Sequence, residues 1–186
     1  HTGGDDSNNV LIEGRDFSVD DLTETRSPND KNLYRLLKFK NGFQAMLISS
    51  DDADKTSAAA AFVSGVGSFA DPREPSLGGL AHYLEHMLFM GSKKYPGDNT
   101  FEKFLTDHNG DSNAYTECEA TVYHFHCDKE KLPKAVDMFA QFCQHPLMTP
   151  DASEREVKAI ASEFELVLRS DDSRIAQVLA SFAPDS

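Results

Sequence analysis

The run HYLEHMLFMGS, residues 82–92, sets two imidazoles and a carboxylate into a stretch that is otherwise apolar. Burying such groups without partners is costly, so something must compensate them. On a helix, His82 and His86 stand four apart and project from one face. Their ring nitrogens can meet at one ion. Zinc suits imidazole, and catalytic zinc sites use three protein ligands with a fourth position open. Glu85 lies beside both histidines in projection, where it can take a proton from a water at that open position, the general-base role. The order His-x-x-Glu-His is the inversion of the more familiar His-Glu-x-x-His. Alone, the pattern is also met by two histidines and a glutamate hydrogen-bonded at a helix surface, so a third ligand is the test.

The segment TPDASEREVKAIASEFELVLR, 149–169, supplies candidates. Thr149 and Pro150 stand where a helix cap and a first-turn proline belong. Along the helix they open, Glu156, Ile160, Glu163 and Val167 fall on one half-apolar stripe, which is expected to enter the core. A core-facing carboxylate needs a cation or hydrogen-bond donors. Glu163 can serve as the oxygen ligand of a zinc ion, and Glu156 can hydrogen-bond a ligand histidine from outside. A solvated or salt-bridged helix face is the other reading of the same stripe.

The elements that must position these residues are legible in outline. Residues 1–30 read as a flexible N-terminal arm with one short strand near 10–12, and residues 31–186 as one domain. Asn41 and Gly42, between two apolar segments, signal a hairpin. AAAAFVSGVGSF reads as a buried strand. A helix is predicted over about 77–90 and stopped at Gly91. A second is predicted over about 100–108, capped by Asn99 with Glu102 in capping-box spacing, and ended by Asn109 and Gly110. SNAYTECE and ATVYHFHCD read as paired strands, with Thr121, Tyr123, Phe125 and Cys127 alternating with Val122, His124 and His126. Apolar residues at 132, 135, 136, 139, 142 and 143 predict a third helix. After the long helix from 150, Asp171 and Asp172 are read as the cap of a last one. The fold class is α+β: a mixed, mainly antiparallel sheet with helices packed on one face.

Composition narrows the function. The 186 residues carry 39% hydrophobic and 26% charged side chains, a globular balance. A formal charge of −13 repels nucleic acid and anionic membrane surfaces, and would attract basic peptides. No apolar run approaches a membrane span and no signal-peptide core is visible, so the expected address is cytoplasmic. Cys118, Cys127 and Cys143 lack disulfide or zinc-ribbon spacing and are expected to be reduced thiols, two or three of them packed as small hydrophobes. His124 and His126 are read as cross-strand or surface hydrogen-bonding residues, and His108 as a cation at a helix end.

GGLAHYLEHMLFMGSKKYP, SNAYTECEATVYHF and EREVKAIASEFE resemble the insulinase/pitrilysin metallopeptidases, in the insulysin and nardilysin branch; GVGSFADP and HPLM lean to the latter. The resemblance runs from about Lys31 to Phe182, and residues 87–162 between His86 and Glu163 match the family's separation. It implies the first domain of a clamshell-like α+β fold, C-terminally short of the family's extent. It implies one zinc ion on His82, His86 and Glu163, Glu85 as the catalytic base for peptide hydrolysis, and Glu156 in support. Asn113 and Ala114 match the edge strand that aligns peptide by strand addition, and Phe89 and Tyr115 match positions bordering side-chain pockets. The implied partners are peptide substrates and further domains of a longer protein. The unpaired edge strand invites homo-oligomers. The function expected is a zinc metalloendopeptidase domain; the alternative is a non-catalytic peptide-binding or interaction domain of the same fold.

Overall fold

The computed structural model describes residues 9–11, 16–50, 52, 54–74 and 78–182. It divides between Lys55 and Thr56 into two compact units. In the first, β1 (Asn9–Leu11), β2 (Phe17–Asp21), β3 (Leu33–Phe39) and β4 (Gln44–Ser49) form an antiparallel meander in chain order. The short strand expected near 10–12 is β1; Ile12 lies outside the described residues. β2 is additional to the sequence reading. Its two aspartates mask the strand pattern, but Asp20 meets Lys38 of β3 at 2.6 Å and Phe17 stacks on Phe39 at 5.1 Å. The Asn41–Gly42 turn forms as expected: Gly42 takes φ +89°, and Asn41 Oδ1 accepts from the Phe43 N–H at 3.0 Å.

The second unit holds a three-stranded antiparallel sheet in the order β5 (Ser57–Ser64), β7 (Thr121–Asp128), β6 (Asp111–Thr116). Five helices complete it: α1 (Leu80–Leu88), α2 (Thr100–Thr106), α3 (Leu132–Gln144), α4 (Pro150–Val167) and α5 (Asp171–Ala180). The expected α+β class holds, with two antiparallel sheets among the described residues where one was read.

β7 carries the core. Thr121, Tyr123, Phe125 and Cys127 are buried while the residues between them are more exposed, the alternation of a half-buried strand. Phe125 meets Phe101 of α2 edge-on at 5.4 Å and Phe139 of α3 at 5.0 Å. Leu88, Leu105, Ala135, Met138 and Phe142 close the cluster. Burying one such Phe side chain is worth roughly 1.5–3 kcal/mol. On α3, Met138 is buried while Val136 stands exposed and Cys143 is solvent-facing, so the buried stripe is rotated slightly from the one read in the sequence. Among the thiols only Cys127 packs as a small hydrophobe. Cys118 sits in the short β6–β7 turn and Cys143 near the end of α3, beside an apolar pocket that Leu88 and Tyr123 also line; all three are free. His126 Nδ1 lies 3.1 Å from Asp111 across the β6–β7 pair, and His108 Nδ1 bonds the Phe104 carbonyl at its helix end.

Candidate metal centre

α1 presents the histidines, and both of its ends are fixed. Asp71, eight residues before Gly79, accepts from the Gly79 N–H at 2.7 Å and the Ala81 N–H at 2.8 Å. A carboxylate there satisfies two otherwise unpaired donors at the positive end of the helix. The helix runs to Leu88, shorter than the predicted 77–90, and Leu77 lies outside the described residues. Gly91 then turns the chain at φ +91°, where an added Cβ would come within 3.0 Å of the Pro96 carbonyl oxygen. Met87 and Leu88 face the core, leaving His82 and His86 toward α4.

Thr149 caps α4, accepting from the Ala152 N–H at 3.3 Å as its sequence position implies. α4 lies against α1, where Tyr83 donates to Ser153 at 2.7 Å. The expected core-facing stripe is instead a line facing α1. Glu156 is largely covered, Ile160 is partly covered, Glu163 is about half exposed at 51%, and Val167 is exposed. The second half of the helix extends past α1, and only Ala152 of α4 is fully buried.

Three donor atoms converge. His82 Nε2 and His86 Nε2 are 3.1 Å apart, and Glu163 Oε2 lies 3.5 Å from the first and 3.8 Å from the second. Donors at zinc-like bond lengths in tetrahedral geometry stand roughly 3.3–3.6 Å from one another, so this trio brackets the separation one ion needs. Among the described residues it is the group of three such side chains suited to holding a metal. His86 Nδ1 sits 2.9 Å from Glu156 Oε2. Donating the Nδ1 proton to that carboxylate leaves the Nε2 lone pair directed at His82 and Glu163, the tautomer a metal ligand needs.

Glu85 is 7% exposed and forms no ion pair among the described residues. Thr116 of β6 donates to its Oε2 at 2.5 Å. A buried carboxylate with a single neutral donor lacks compensation for its charge, which a cation beside His82 and His86 would supply. The same charge acts on Tyr123: burial pushes its phenol above the usual range, and Glu85 adds to the shift.

These groups open onto a cleft of about 420 Å³ that Phe89, Asn113 and Ala114 also line. β6 is an edge strand, as expected, and the Ala114 N–H is met by the Asn113 side chain at 2.9 Å. Tyr115 does not reach the cleft. Strand alternation puts it on the opposite face from Ala114 and Thr116, where its ring lies 6.5 Å from His124. Met90, Glu102 and Ser112 line the cleft without having been singled out for it. The capping box around Asn99 does not form, because Asn99 at φ −100°, ψ 11° lacks the extended backbone of a cap. Glu102 instead accepts from Ser112. Ser170, rather than Asp171 or Asp172, caps α5.

The His-x-x-Glu-His run of α1 thus faces Glu163 of α4, beside the β6 edge of the sheet. The chain belongs to the insulinase family, peptidase family M16, whose sequence model matches residues 46–183. It is 44% identical over 169 residues to insulin-degrading enzyme-like 1, peroxisomal, of Arabidopsis thaliana, covering 91% of this chain and 17% of that protein. Identity is 45% over 154 residues to human insulin-degrading enzyme, covering 83% and 15%. It is 52% over 130 residues to human nardilysin, covering 70% and 11%. The crystal structure of pitrilysin superimposes with a TM-score of 0.75 at 37% identity, over 82% of this chain and 16% of that one. The chain thus spans less than a fifth of the length of these relatives. Among the described residues no helix is long and apolar enough to cross a membrane.

Proposed function

We propose that this chain is the catalytic unit of a zinc metalloendopeptidase that hydrolyses peptide bonds. The observation that supports this reading most directly is the convergence of His82, His86 and Glu163 within 3.8 Å, beside the buried Glu85. His82, His86 and Glu163 would hold the ion, and Glu156 fixes the His86 tautomer. When bound, zinc supplies Lewis-acid polarisation of the scissile carbonyl and acidifies a water. Glu85 takes the proton of the attacking water at its free Oε1 and returns it to the leaving amine. Asn113 and Ala114, at the edge strand, align an extended peptide by backbone pairing, and Phe89 borders it. The partners are peptide substrates and further domains of a longer protein, in a cytoplasmic setting.

Metal analysis of the purified chain tests the ligand set: one zinc per chain is expected, falling to background in His86→Ala. Equal zinc in both would overturn it. In the full-length protein that carries the chain, Glu85→Gln is expected to keep zinc and lose about 10²–10⁴-fold in peptide turnover. A non-catalytic binding domain would instead show no turnover to lose.

A further inference from the structure

Resting on the reading of Glu85 as the base, we propose that Thr116 is its positioning residue: the Thr116 hydroxyl pins Oε2 and leaves Oε1 as the acceptor at the cleft. The donor sense follows from the base role, in which the Glu85 carboxylate carries no proton and can only accept. Thr116 Oγ1 lies 2.5 Å from Glu85 Oε2 and 3.5 Å from Thr121 Oγ1. Thr121 spends its own proton on the Val66 carbonyl at 2.8 Å, so towards Thr116 it could only accept, and at 3.5 Å it competes poorly with the Glu85 carboxylate at 2.5 Å.

The anchor is rigid. Thr116 and Thr121 are cross-strand partners at the mouth of a tight turn closed by the Glu117 N–H on the Ala120 carbonyl at 2.8 Å. That turn is tied to the 67–69 segment by the Ser68 N–H on Glu117 and the Phe69 N–H on Cys118, at 2.9 and 2.8 Å. Gly67 is required there, because an added Cβ would fall 2.2 Å from the Glu117 carbonyl oxygen. A β-branched threonine at such a point has few rotamers, so its hydroxyl is a fixed reference. Glu85 has three side-chain torsions of its own, and among the described residues Thr116 is what holds its carboxylate. A base displaced by about 1 Å from the proton it must take can cost on the order of 10²-fold in rate.

The test compares Thr116→Val, Thr116→Ala, Thr116→Ser and Glu85→Gln in the full-length protein, with peptide turnover, zinc content and melting temperature measured on each. Thr116→Val is expected to lower kcat by about 10–100-fold, with KM and zinc content unchanged. Thr116→Ser, which keeps the hydroxyl, recovers most of the loss. Should Thr116→Val fail to fold, Thr116→Ala read against Thr116→Ser carries the same comparison. The proposal is overturned if the hydroxyl-free variants turn over like wild type while Glu85→Gln is inactive, or if Thr116→Ser is as impaired as Thr116→Val. If Glu85→Gln itself remains active, the base assignment beneath the proposal is what has failed.

Discussion

At the residue scale, Glu156 separates orientation from charge. It touches the proposed ion only through His86, whose Nδ1 it meets at 2.9 Å. Glu156→Ala is therefore expected to weaken zinc binding by about 10–100-fold without removing a ligand. Glu156→Gln should lose less, because an amide oxygen still accepts the Nδ1 proton. Competition with a chromophoric chelator measures both, and equal affinity for wild type and Glu156→Ala would exclude the role. Spacing singled out His82, Glu85, His86, Glu156 and Glu163 as candidates, since all five lie on two helices whose periodicity converts sequence distance into direction, while leaving a hydrogen-bonded or solvated helix face open. Thr116, Asp71 and Glu102 were not legible in this way. What Thr116 and Asp71 do depends on α1 lying beside β6 and on the 71–79 loop folding back, contacts that no local period encodes.

At the element scale, α1 is the part that everything else fixes. Its first turn is held by Asp71, its middle by Ser153 and Thr116, and its last turn by Glu156. Asp71→Ala removes two hydrogen bonds from the helix start, a loss of about 1 kcal/mol by the usual value of a cap. The expected result is a lower urea midpoint together with weaker zinc affinity, since His82 lies in the turn that would fray. Asp71→Asn, which keeps one acceptor, should fall between. An unchanged midpoint in Asp71→Ala would show that the helix start is held by other means. Elements with local signals were readable: β7 from its alternation, α4 from Thr149 and Pro150, and the β3–β4 hairpin from Asn41 and Gly42. The α4 stripe was misread for a reason no local signal corrects. The 156–167 stripe has helical period, but period does not say how far the neighbouring helix extends, and α1 is half the length of α4.

At the scale of the whole molecule, two features oppose each other. Phe164, Leu166, Ile175, Val178 and Leu179 leave α4 and α5 with exposed apolar side chains, and among the described residues β6 is an edge strand of its sheet. Both favour association. The formal charge of −13 resists it. Screening weakens only the second, since at physiological salt exposed charges more than about 8 Å apart scarcely interact. The isolated 186-residue chain is thus expected to self-associate more strongly as salt rises, measured by sedimentation velocity across a salt series. It should also bind zinc, because the converging donors all come from α1 and α4 of one unit. Catalysis asks for more than the ion: donors aimed at the developing oxyanion and walls that orient the peptide. The cleft here is bounded by α1, α2, α4 and β6, and the chain covers 11–17% of the length of the enzymes it matches. Losing even one oxyanion donor costs on the order of 10²–10³-fold, so kcat/KM for the isolated chain on a fluorogenic peptide is expected at least about 10²-fold below that of the full-length protein at equal zinc occupancy. Comparable values for the two would mean that this unit supplies its own oxyanion donors, and Asn113, which borders the cleft, would be the first residue to examine by substitution.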